Sequence, residues 1–179
     1  MTGERVGIGR VYVKLPGKLD YDAWVEALRR GESYVSDGTS HLLDFRRNAD
    51  GTFAVRAAAR LAGEPDVEVE LIANGRPVET QRVRGDGRMH ELTFAAPKLD
   101  RSAWVAARIF PSAHTNPIWV KVDGRPVRVR SSVAWCLASL EQCWKEKQRT
   151  YAPAEMQQAE EAYQHARDTY RRMLDESPR

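Results

Sequence analysis

Trp24 to Phe45, WVEALRRGESYVSDGTSHLLDF, contains a helix end, a strand, a polar Asp-Gly turn and a second strand, and the rest of the chain is read outward from it. Trp24, Val25, Ala27 and Leu28 recur at roughly helical spacing after the acidic Asp20-Tyr21-Asp22, and Gly31 stands where a helix stops, which predicts a short amphipathic helix. Ser33-Tyr34-Val35 favours a strand, Asp37-Gly38 supplies a turn able to take positive φ, and Leu42, Leu43 and Phe45 give a return strand its apolar weight. Asp37 and His41 invite a metal or acid-base reading. A metal site needs three or more converging ligands, and an Asp in an Asp-Gly turn ordinarily caps its own backbone.

The 179 residues, 42% apolar and 30% charged, suffice for one sizeable core or two small ones. Twenty-eight basic residues against 25 acidic ones leave a net charge of +3 on a mixed surface, with no basic tract to imply nucleic acid as partner. No apolar run is long enough to span a membrane, and MTGERVGIGR lacks the apolar core of a signal peptide. Cys136 and Cys143 lie two helical turns apart on one face, about 10.5 Å by helical rise, beyond disulfide reach. They are expected to be small buried apolar residues and do not decide the redox compartment.

Outside the opening stretch, Val6 to Leu15 alternates as a strand, and its Gly7-x-Gly9 precedes no helix that could make it a dinucleotide fingerprint. From Thr52 the period is two: Phe53, Val55, Ala57, Ala59 and Leu61, then Val67, Val69 and Leu71. Asn74-Gly75 predicts a hairpin, and Gly85-Asp86-Gly87 a second turn in an antiparallel meander. The Arg84-Gly85-Asp86 tripeptide is accounted for as a hairpin tip. AWVAARIF, Ala103 to Phe110, is apolar on both faces and is expected to be central in its sheet. An ordered surface loop is expected from Pro111 to Pro117, where His114, Thr115 and Asn116 form the candidate polar cluster. Asp123-Gly124 predicts another hairpin, ANGRPV and VDGRPV being near copies.

Ser131-Ser132 reads as an N-cap ahead of a helical stripe, Val133, Cys136, Leu137, Leu140, Cys143 and Trp144. Pro153 suits the first turn of a second helix bearing Ala159, Tyr163, Ala166, Tyr170 and Met173 or Leu174, whose small Ala positions admit a homodimer seam. The expected fold class is α+β: an antiparallel β meander or sandwich-like domain (49–131) with a terminal α-helical hairpin (132–179), preceded by a short β-α-β segment (1–48).

GRVYVKL, YDAWVEALRRGESYVSDGTSHLLDF, WVAARIFPSAHTNPIWVKVDGRPV and SSVAWCLASLEQCW together resemble the C-terminal portion of CehA/McbA-type metallohydrolases of the PHP (polymerase and histidinol phosphatase) superfamily. That resemblance implies that 1–48 is the remnant of a distorted β/α barrel. The family's metal ligands, His-x-His and later His, Glu and Asp residues, come earlier than this chain, so the resemblance implies a fragment with no catalytic or metal-binding residues and no cofactor of its own. Divalent-metal ester or phosphoester hydrolysis would belong to the parent, and the partner would be an upstream barrel domain in the same polypeptide. Asp37, His41 and His114 to Asn116 could then edge its cleft. The alternative is an independent β-sandwich-like binding or adhesion module whose exposed Trp24, Trp104 or Trp119 stacks on a sugar or another flat ligand.

Overall fold

The computed structural model describes residues 7–178. The chain divides into two compact units, Met1–Arg125 and Pro126–Arg179. The first opens with strand β1 (Arg10–Val13) and helix α1 (Tyr21–Arg29), followed by β2 (Ser33–Ser36), β3 (His41–Arg47) and β4 (Phe53–Ala58). It continues with β5 (Asp66–Ala73), β6 (Arg76–Arg84), β7 (Met89–Phe94), β8 (Ala103–Ile109), β9 (Ala113–Thr115) and β10 (Ile118–Val120). Seven strands form one sheet, ordered β1-β2-β9-β8-β5-β6 with β10 also paired to β8, and β3-β4-β7 form a second. Every pairing is antiparallel, and with the C-terminal helical hairpin this is the α+β class expected.

The helix α1 follows its local chemistry closely. Asp20 Oδ1 accepts a hydrogen bond from the Ala23 amide at 2.9 Å, and at the other end Gly31, at φ +76°, lets the Gly31 and Glu32 amides reach the Leu28 and Ala27 carbonyls. The Asn74-Gly75 pair, both at positive φ, closes the β5–β6 hairpin. β8 is central, with β5 along one side and β9 and β10 taking successive lengths of the other.

The core lies between the sheets. Val67, Val69 and Leu71 of β5 and Val105, Ala107 and Ile109 of β8 meet Leu42, Phe53, Val55, Ala57 and Phe94 of the smaller sheet. Each large side chain buried there stabilises the fold by about 1.5–3 kcal/mol relative to exposure.

Four expectations about connectivity are corrected. The strands flanking Asp37-Gly38 do not pair with each other: β2 belongs to the larger sheet and β3 to the smaller, so the turn crosses between layers. The meander fails likewise at Gly85-Asp86-Gly87, because β6 and β7 lie in different sheets. The Pro111 to Pro117 loop contains a strand, β9, which inserts between β2 and β8. Asp123-Gly124 repeats the positive-φ pair of Asn74-Gly75 without a hairpin, since Ser102 Oγ accepts from the Val122 amide at 2.9 Å and donates to the Arg125 carbonyl at 2.7 Å, holding the turn against β8 instead of a ladder. Residue 48 lies in the β3–β4 hairpin, and β1 and β2 are hydrogen-bonded into the sheet built from β5, β8 and β9.

The second unit pairs α2 (Arg130–Lys147) with α3 (Met156–Asp175). Val129, not Ser131 or Ser132, stands at the start of α2 and makes no side-chain cap, and Pro153 lies ahead of α3 rather than in its first turn. Trp144 packs on Tyr163 with ring centres 4.7 Å apart, and Arg167 pairs with Glu141 at 2.8 Å. Cys143 is exposed rather than buried, its Sγ 3.2 Å from the Tyr163 hydroxyl, while Cys136 is half-buried; both are free thiols.

Leu71 is fully buried at the centre of the sandwich. Leu71→Ala should lower the unfolding free energy by about 2–5 kcal/mol in a urea titration, and a change under about 1 kcal/mol would contradict this placement of the core.

Candidate functional site

At residues 36–40 the chain leaves one sheet for the other, and the crossing is held by side chains. The Asp37 amide donates to the Ser112 carbonyl at 3.0 Å, while Asp37 Oδ1 accepts from Ser112 Oγ at 2.6 Å, Thr39 Oγ1 at 2.6 Å and the Thr39 amide at 2.8 Å. Ser112 Oγ accepts from the Ser40 amide at 3.1 Å, and Ser40 Oγ donates to the Arg60 carbonyl and accepts from the Arg60 amide, both at 3.0 Å. Ser36 Oγ donates to the Ser40 carbonyl and accepts from the Gly38 amide. Ser36, Ser40 and Ser112 are buried. Partial burial alone would raise the Asp37 pKa, but the hydrogen bonds from Ser112 and Thr39 outweigh it and hold the carboxyl below its ordinary range. Asp37 therefore acts on the fold, with its carboxylate turned to its neighbours.

The cluster at 114–116 is drawn into the same framework. Thr115 Oγ1 accepts from the Ala107 amide at 3.0 Å, and Asn116 Nδ2 donates to the Gly31 carbonyl at 3.1 Å and to Ser33 Oγ at 2.7 Å, fastening the end of α1 to β2. His114 is exposed on the outer face of the sheet, opposite Val35 on one side and Arg108 on the other.

His41 belongs to a different group. Tyr12 and Tyr34 are register partners on β1 and β2, their rings stacked 5.0 Å apart at 8°, and His41 meets the pair edge-on with centroids 5.1 and 6.0 Å away. The Tyr34 hydroxyl is 2.8 Å from His41 Nδ1. Burial, followed by the neighbouring Tyr12, pushes the Tyr34 phenol up to about 12, so its proton is retained. Sequence reading missed this trio because its signal is a cross-strand register, which local alternation does not reveal.

A second aromatic surface lies on the outer face. Trp119 of β10 stands opposite Trp104 of β8. Trp119 is 61% exposed, whereas Trp104 and Trp24 are half-buried. Trp104 is fixed through its backbone: its amide donates to Asn74 Oδ1 at 3.2 Å and its carbonyl accepts from the Asn74 amide at 3.0 Å. Further along β8, Arg108 Nε pairs with Glu70 at 2.7 Å, and the guanidinium lies over the exposed Phe110 ring at 5.5 Å.

Among the described residues no group of three or more His, Cys, Asp or Glu side chains could hold a metal ion, and no helix is long and apolar enough to cross a membrane. The arrangement defines a two-layer antiparallel β unit with two aromatic surfaces and an appended helical hairpin. No protein-family model, curated protein or solved structure matches the chain.

Because the folded-state pKa of Asp37 is lowered, the stability it contributes is complete above the unfolded carboxyl value of about 4 and fades as pH falls through the lower folded value. Asp37→Ala should cost about 1–3 kcal/mol at neutral pH, with the gap to the unmutated protein narrowing in acid. Equal stability of the two at pH 7 would refute this role.

Proposed function

We propose that the β unit is a non-catalytic binding module whose ligand lies on the outer face of the seven-stranded sheet at Trp104 and Trp119. The observation that carries this reading is the cross-strand tryptophan pair with Trp119 61% exposed. A large ring left in water forgoes burial free energy that a flat apolar partner recovers, and an indole offers both a stacking face and an N–H donor. A rigid antiparallel sheet fixes both side chains with little ordering cost on binding. The ligand class is a sugar, which presents a flat C–H face, or another flat molecule. Gel retardation on a panel of neutral polysaccharides, followed by calorimetry on the one that binds, tests it. Trp119→Ala should weaken that binding by about tenfold or more without lowering the melting temperature, whereas unchanged affinity, or no retardation by any polysaccharide, would remove the reading.

A specific observation also favours the accessory-module reading drawn from the resemblance to PHP-type hydrolases. Ile8, Val11, Leu19 and Tyr21, around β1 and the start of α1, are 51–82% exposed. An upstream barrel domain in the same polypeptide would cover such an apolar margin. Reading the genomic frame ahead of Met1 decides it: a His-x-His motif and further metal ligands there support a hydrolase parent, and an immediate in-frame stop removes it.

A further inference from the structure

At β1 and β2 the inner face of the larger sheet carries Arg10, Tyr12 and Tyr34 instead of the apolar residues found at its centre, and His41 of β3 meets the two tyrosine rings there. We infer that this polar face is a binding site for a small oxyanion, a carboxylate or phosphate group, held by Arg10, Tyr12 and His41.

Three features support the inference. First, Arg10 is exposed, makes no ion pair among the described residues, and places Nη1 3.5 Å from the Tyr12 hydroxyl. Asp37, the carboxylate next to Gly38 in the chain, is engaged by Ser112 and Thr39 instead. Second, the guanidinium passes over Gly38, whose φ of +92° favours glycine. Third, the Tyr34 hydroxyl lies 2.8 Å from His41 Nδ1, which occupies that ring nitrogen and leaves Nε2 as the one that can meet a ligand beside the stacked rings.

The guanidinium fork, the phenol and the imidazole N–H are the donors by which proteins bind carboxylates and phosphates. The neighbouring charges are paired, which leaves Arg10 as the cation available to a ligand. Lys14, the next residue of that face beyond Tyr12, and Arg56 both converge on Asp44, one at each carboxylate oxygen, with Glu91 3.5 Å from Arg56 as the other acidic partner. This site is independent of the tryptophan face, which lies on the opposite side of the sheet.

The experiment is an NMR titration of the 15N-labelled chain at constant ionic strength, using inorganic phosphate in one arm and acetate in the other, with the Arg10 Nε–H and the His41 ring nitrogens as reporters. Saturable shifts of both groups with phosphate, acetate or both support the site, and which arm saturates identifies the oxyanion. Arg10→Ala should weaken the binding by about tenfold or more with the melting temperature unchanged, and Arg10→Lys, which keeps the charge but loses the fork, should recover only part of it. Shifts that chloride reproduces equally, shifts that do not saturate in either arm, or an Arg10→Ala variant that binds as the unmutated chain does would each overturn the inference.

Discussion

The fold depends on satisfying the backbone where the chain passes from one sheet to the other at Asp37 to Ser40. Buried amide and carbonyl groups leaving a ladder need new partners, and each left unpaired costs about 1–3 kcal/mol. Here the partners are hydroxyls, one carboxylate and the Ser112 carbonyl: Ser36 and Ser40 bond within the crossing, Ser40 ties it to Arg60, and Asp37 with Ser112 ties it to the start of β9. Once β2 and β3 are separated in this way, β2 is free to pair with β9 and β3 with β4, and the sandwich follows.

The two surfaces lie on opposite sides of the larger sheet. The inner face of β1 and β2 is polar and aromatic, with the Tyr12–Tyr34 stack meeting His41 of β3 in place of aliphatic packing. On the outer face, β10 continues beside β8 after β9 ends at Thr115, and this brings Trp119 opposite Trp104. Asn116, between the two short strands, anchors the end of α1 to β2 through its side-chain amide. Residues that sequence reading grouped as one polar cluster therefore separate by direction: Thr115 and Asn116 bond inward to the framework and His114 is exposed.

What was legible in the sequence was local. Asp20 and Gly31 bracket α1, Asn74-Gly75 closes a hairpin, and the apolar run of β8 marks the central strand, because capping, positive φ and two-sided burial each depend on a few adjacent residues. Pairing was not legible. Asp37-Gly38 and Asp123-Gly124 carry the same kind of turn signal as Asn74-Gly75, yet distant hydroxyls, Ser112 for the first and Ser102 for the second, decide that neither closes a hairpin. The candidate sites divide likewise. Asp37, His41 and the 114–116 cluster stood out by residue type, while the Tyr12–Tyr34 and Trp104–Trp119 pairs exist only through register between strands distant in sequence.

The separation of β2 from β3 is the claim on which both surfaces rest, and cross-strand nuclear Overhauser effects on the labelled chain measure it most directly. The predicted result is a ladder of contacts linking Tyr34 with Thr115 and Ser36 with Ala113, together with one linking Leu42 with Ala57. A ladder joining Ser33–Ser36 directly to His41–Arg47 would contradict the account.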